Sequence, residues 1–131
     1  MNPVLNTAVK AARRAGDMML RAANNLPAVK IDSKAFNDFV SDIDRTAEEI
    51  IREILQEAYP QHKITAEEGG SSGPEKAEYE WIIDPLDGTT NYLHGHPQYA
   101  VSMARNCHAL IHNRNRPNSN HTKSYPIRAN F

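Results

Sequence analysis

The sequence predicts a layered α/β or α+β fold, and three observations carry that reading. Two long segments repeat apolar residues at helical spacing. Several short apolar runs bounded by Gly, Pro and acids follow them, as strands do. The strongest run, Tyr79 to Ile83, empties into the sequence D-P-L-D-G-T-T-N at Asp84 to Asn91.

The first helix is expected from Val4 to about Asn24. Val4, Leu5, Ala8, Val9, Ala12, Ala15, Met19, Leu20 and Ala23 share its spacing, and Asn24, Asn25 and Pro27 end it. Val29 and Ile31 then alternate with charged neighbours, as a strand or an extended loop does. The second helix is expected from Ser41 to Ala58, with Ile43, Ala47, Ile50, Ile51, Ile54 and Leu55 as its buried stripe. Ser41 suits an N-cap, with Asp44 three residues on as in a capping box. Glu48 and Arg52 are spaced for an i,i+4 pair, and Tyr59-Pro60 stops the helix. Lys63-Ile64-Thr65 reads as a short strand delivering Glu67 and Glu68. Gly69 to Pro74 reads as loop, Tyr79 to Ile83 as the next strand and Gln98 to Met103 as a further one. No internal repeat is visible.

At 131 residues, 40% of them hydrophobic, the chain supports one domain with a modest core. The single cysteine, Cys107, rules out an internal disulfide and fits a reducing cytoplasm. No apolar stretch approaches the ~20 residues of a membrane span, so no membrane partner is expected. The N-terminus, with Arg13, Arg14 and Arg21 among alanines, lacks the apolar run of a secretory signal.

The formal net charge of −1 conceals an asymmetry. Residues 1–104 hold all 16 acids and 10 bases, whereas residues 105–131 hold five bases and no acid. The second segment is rich in Asn, His and Arg and shows neither helical nor alternating periodicity, so it is expected to be disordered or frayed. Such a basic tail suits a nucleic-acid arm, or an unrelated, out-of-frame sequence joined to the first.

The chemistry concentrates at two predicted strand ends. Mg²⁺ takes oxygen ligands in near-octahedral geometry. Asp84 and Asp87, three apart across a Pro-Leu turn, can face one point, with the Leu86 carbonyl as a further oxygen and Glu67 as a third carboxylate. The structural alternative is that both aspartates merely cap a turn and a helix, where Asp is favoured. Gly88 lets backbone approach a ligand closely, and N–H groups at a helix start attract anions. There too a simple N-cap by Thr89 or Thr90 competes. Asp44, taken alone, reads as a capping residue in a first helical turn. His94 and His96 read as surface residues of a Gly/Pro loop, and His108, His112 and His121 fall in the tail. No P-loop, Ser-His-Asp arrangement or zinc spacing is present.

In order, F-V-S-D-I-D around Asp44, A-E-E-G at Ala66 to Gly69 and W-I-I-D-P-L-D-G-T-T-N at Trp81 to Asn91 resemble the inositol monophosphatase family, its bacterial members above all. The resemblance covers about residues 1–104, and D-P-x-D-G-T-x-N is highly specific. It implies the N-terminal portion of an αβαβα sugar-phosphatase fold, Mg²⁺ dependence, Li⁺ sensitivity and, in full-length relatives, a homodimer. It further implies Glu67, Asp84, the Leu86 carbonyl and Asp87 as metal ligands. Asp44 and Thr89, with Glu67, fall to the attacking water, and Asp87, Gly88 and Thr89 to the phosphate and substrate.

The implied reaction is hydrolysis of inositol monophosphate or a similar small phosphomonoester. Family chains are about twice as long, with a further aspartate in a W-D motif, so this chain is expected to be truncated and its activity alone is open. A sugar- or nucleotide-phosphate phosphatase is the neighbouring alternative. A regulatory protein contacting RNA or the transcription machinery, as bacterial relatives do, is the alternative from another class.

Overall fold

A computed structural model describes residues 2–23, 33–66, 69–87, 100–108 and 122–130. Helix α1 spans Pro3–Ala23. The Asn2 Oδ1 caps its start by accepting the Val4 N–H at 3.0 Å, and Pro3 takes the first position, where no amide donor is needed. Arg21 sits in the last turn, where the helix dipole favours a cation.

Helix α2 spans Ser33–Ala58 and starts eight residues before the expected Ser41. Ser41 is therefore an interior helical residue and not a cap. The reason is packing: Phe39 and Val40 continue the apolar stripe of Ile43, Ala47, Ile51 and Leu55 backwards into the core. Tertiary burial thus overrides a local cap signal. The expected Glu48–Arg52 pair is present, with Arg52 Nε 3.3 Å from Glu48 Oε2. Val29 and Ile31 lie outside the described residues.

The strands are β1 (Lys63–Ala66), β2 (Gly70–Ser72), β3 (Tyr79–Asp87), β4 (Ala100–His108) and β5 (Thr122–Asn130). They form one mixed sheet in the order β2-β1-β3-β4-β5. Strands β1 and β3 run parallel, and the other neighbours are antiparallel. Three expectations are corrected. Residues 70–72, read as loop, pair with β1. Asp84 and Asp87, read as a turn, belong to β3. The segment from 105 onward, read as disordered or frayed, supplies residues 105–108 of β4 and all of β5. Its alternation of Lys123, Tyr125, Ile127 and Ala129 with polar neighbours and Pro126 is a strand pattern diluted by polar residues. Pro126 fits because β5 is an edge strand.

Both helices lie on one face of the sheet. Ala8, Ala11, Ala12, Ala15 and Met19 of α1 meet the α2 stripe and the inward residues Ile64, Ala66, Trp81, Ile83, Val101 and Met103. The alanine face lets the helix axes approach closely. Pleating sends alternate β3 residues the other way, and Ile82 is 39% exposed.

Trp81 is fully buried, so its indole N–H needs an acceptor. It donates to His62 Nδ1 at 3.0 Å. His62, 4% exposed, stacks on Tyr59 with ring centroids 4.8 Å apart. Burial, then the charge of Arg105, push its pKa below the ordinary histidine value, against a smaller opposite pull from Glu78. An accepting Nδ1 requires the neutral ring as well.

The unfolded chain therefore takes up this proton first as pH falls through about 6.5. The contribution of His62 is complete above that pH and lost below it, by at most about 1.4 kcal/mol per pH unit. Melting curves between pH 7.5 and 5.5 are expected to show a steeper acid loss in the wild type than in His62→Phe. Equal slopes would remove His62 as the cause. Gly73→Ala is expected to destabilise by about 1–3 kcal/mol, since Gly73 has φ +86° and an added Cβ would lie 2.5 Å from the His62 carbonyl oxygen. Chemical denaturation checks this.

Candidate functional site

In open sheets with parallel strands, ligands bind beyond the strands' carboxyl ends. Here the parallel pair is β1 and β3, in a register that sets Lys63 opposite Glu80 and Ala66 opposite Ile83. Ala66 immediately precedes Glu67 in sequence, and Ile83 immediately precedes Asp84. One edge of the sheet thus gathers the end of β1 and the acidic end of β3.

Along a regular strand, residues three apart project to opposite faces. The β3–β4 ladder breaks that rule. Asp84 pairs with Ser102 and Asp87 with Ala100, so three steps on β3 match two on β4. This is a β-bulge, and bulges re-aim side-chain positions. Ser102 and Ala100 are two apart and share a face, so the register brings positions 84 and 87 to one face as well. Pro85, buried within the bulge, has no N–H to give the ladder, which is where a strand tolerates proline. That face is the one turned away from the helices, because Trp81 and Ile83 occupy the other.

Asp44 comes from α2, four residues before Glu48, and its Oδ1 is buried. Of the remaining expected site residues, Leu86 and Asp87 are placed here by backbone alone. Glu67, Gly88 and Thr89 lie outside the described residues, as do Thr90, His94 and His96. Among the described residues no three His, Cys, Asp or Glu side chains gather as a metal cage would. The donor set at this edge, carboxylates and a carbonyl without nitrogen or sulfur, suits a hard divalent cation. Positions 84 and 87, brought to one face by the bulge, fit such an ion.

Sequence reasoning named Asp44 and the Glu48–Arg52 pair but missed the longer row to which they belong. Asp44, Glu48, Arg52 and Gln56 are successive i+4 positions and form one polar row along α2. Arg52 Nη1 donates to Ser72 Oγ at 2.6 Å and its Nη2 to the Gly70 carbonyl, while Gln56 Nε2 donates to Ser72 Oγ at 2.9 Å. The row ties α2 to strand β2. The spacing was readable in the sequence, but its target was not, because β2 exists only through pairing. His62 was also passed over, since a lone histidine after a helix gives no sign of a buried acceptor.

A helix pair over a mixed sheet, with acids at the carboxyl edge of its parallel strands, is an α+β layered architecture of the inositol monophosphatase and SuhB folds. The chain belongs to the inositol monophosphatase family, whose family model matches residues 1–105. It is 77% identical over 104 residues to a SuhB protein of Neisseria meningitidis serogroup A, an alignment covering 79% of this chain and 40% of that one. Identity to the Nus factor SuhB of Pseudomonas aeruginosa is 47% over 106 residues, covering 79% and 39%.

Among solved structures, the extragenic suppressor protein SuhB from Bartonella henselae superposes with a TM-score of 0.66 at 34% identity, covering 82% of this chain and 44% of that one. Inositol monophosphatase from Anabaena gives 0.61 at 37%, covering 78% and 34%. The chain spans about two fifths of the length of the curated relatives it matches. No helix among the described residues is long and apolar enough to cross a membrane.

Proposed function

We propose that this chain carries the metal-binding half of a Mg²⁺-dependent phosphomonoesterase acting on inositol monophosphate or a similar small phosphomonoester. The observation that supports it most is the bulge in β3, which brings positions 84 and 87 to one face beside the end of β1. Membership of the family supports the phosphatase class.

In this reading the carboxylates of Glu67, Asp84 and Asp87 and the Leu86 carbonyl hold Mg²⁺. When bound, the cation supplies Lewis-acid activation of water and neutralises charge on the leaving oxygen. Asp44 and Thr89, with Glu67, orient the water, the carboxylates accepting its hydrogen bonds. The Gly88 and Thr89 amides donate to phosphate oxygens. Asp87 also lies near the substrate hydroxyls. In a full-length version, Asp87→Asn is expected to lower Mg²⁺-dependent phosphate release from inositol monophosphate about 100-fold or more. Undiminished turnover would refute the assignment.

The name Nus factor, carried by the Pseudomonas relative, favours a second reading. Here the chain contacts RNA or the transcription machinery, with the acid-free segment 105–131 as the electrostatic contact. RNA affinity should then fall steeply as salt rises, and replacing Arg114 and Arg116, which lie between β4 and β5, by Gln should flatten that dependence. Filter-binding at several salt concentrations decides it, and an unchanged slope removes these arginines from the interface.

A further inference from the structure

We propose that Arg52 is a positioning residue that fixes the turn between β1 and β2, and with it the acidic pair Glu67-Glu68, against the helix that carries Asp44. The proposal rests on the metal reading given above. Its ground is a convergence of contacts on the β2 side of that turn. Ala66 pairs with Gly70, so three residues, 67 to 69, connect the strands. Arg52 donates to the carbonyl of Gly70, at the foot on the β2 side, and to Ser72 Oγ at 2.6 Å, two residues further along β2. Its third bond goes back to Glu48 Oε2 at 3.3 Å.

Glu48 closes the arrangement from the other side. A Cβ added to Gly69 would lie 2.0 Å from Glu48 Oε2, so the carboxylate occupies the space a side chain would need there. Gly69 is the residue that directly follows the acidic pair. The turn is therefore held at Gly70 by the guanidinium, while the Glu48 carboxylate, paired to the same Arg52, fills the space beside Gly69. Arg52 and Glu48 side chains are each only 14% exposed, so water competes weakly for these bonds. A planar guanidinium supplies three diverging donors at once, which an ammonium cannot reproduce.

The grip has a direction. Asp44, Glu48, Arg52 and Gln56 lie along one row of α2, so the residues that hold the turn share a rigid helical face with Asp44. Fixing the β1–β2 turn to positions 48 and 52 fixes it relative to position 44. Gln56, bonded to Ser72 at 2.9 Å, extends the same row to the end of β2.

The test uses the whole 131-residue chain and Mn²⁺ as the probe, titrated by calorimetry, with thermal melting and hydrogen exchange measured in parallel. Arg52→Met keeps the aliphatic stem and removes all three bonds. It is expected to weaken Mn²⁺ binding about tenfold or more and to speed amide exchange in residues 64–72. Arg52→Lys should recover only part of the affinity.

Should Arg52→Met fail to give a cooperative melt, Ser72→Ala carries the test, with a smaller loss of affinity in a folded chain. A residue that merely adds stability would lower the melting temperature and leave Mn²⁺ affinity alone. Wild-type affinity in a folded Arg52→Met, or unchanged exchange in β1–β2, overturns the proposal while the metal reading stands. A wild-type chain that takes up no Mn²⁺ overturns both.

Discussion

Strand β3 has to serve two faces at once, and the other elements are arranged around that demand. On one side Trp81 and Ile83 are buried beneath the helices, each fully desolvated apolar side chain contributing roughly 1.5–3 kcal/mol. The register that seats them sends Asp84 to the opposite side. Unbroken alternation would return position 87 to the core face, where an ionised carboxylate is heavily penalised. The bulge between Asp84 and Asp87 removes that conflict by inserting one residue, and Pro85, which would damage a regular ladder, sits inside it. Core packing and the placement of the acids are thus one geometric problem with one solution.

Helix α2 reads as a ruler with two scales. Val40, Ile43, Ala47, Ile51 and Leu55 mark its buried side, and Asp44, Glu48, Arg52 and Gln56 mark a polar row beside it. Because both rows belong to one rigid rod, burying the first sets the height of the second against the sheet. The length of α2 serves both scales: Asp44 lies near its middle, while its later turns hold β2. The His62–Trp81 bond has a similar double role. It satisfies the one polar atom of the largest core side chain, and it anchors the segment between α2 and β1 beneath the sheet.

Much of this was legible in the residues. The alanine-rich spacing of α1, the stripe of α2 and the strand over Tyr79 to Ile83 all appear where the periodicities place them. What escaped was whatever depends on a partner. Ser41 and Asp44 imitate a helix start, and only the burial of Phe39 and Val40 shows that the helix began earlier. Gly-Gly-Ser-Ser-Gly-Pro has the composition of a turn, and residues 70–72 become a strand only because β1 offers free backbone groups and Arg52 holds them there. At the carboxyl edge of the sheet, the closely spaced pair Asp84 and Asp87 could be read in the sequence itself. The bulge that aligns them could not, since it is a mismatch between strands and no property of either alone.

The last strand follows from the same principle. The family match ends at residue 105, yet β4 continues to His108, and β5 pairs with it from Thr122 to Asn130. Backbone pairing asks little of side-chain identity: an open edge presents a row of donors and acceptors to any extended segment. What it does ask is register. Ile127 is opposite Met103 and Ala129 opposite Val101, both core-facing positions of β4, while Ser102 on the other face meets Arg128. Positions 127 and 129 of β5 therefore fall in line with the core-facing positions of β4, and position 128 with the outer face. A slip of one residue would reverse every one of these assignments. A segment can thus join the sheet through its period-2 pattern alone, without resembling the family that built the rest of it.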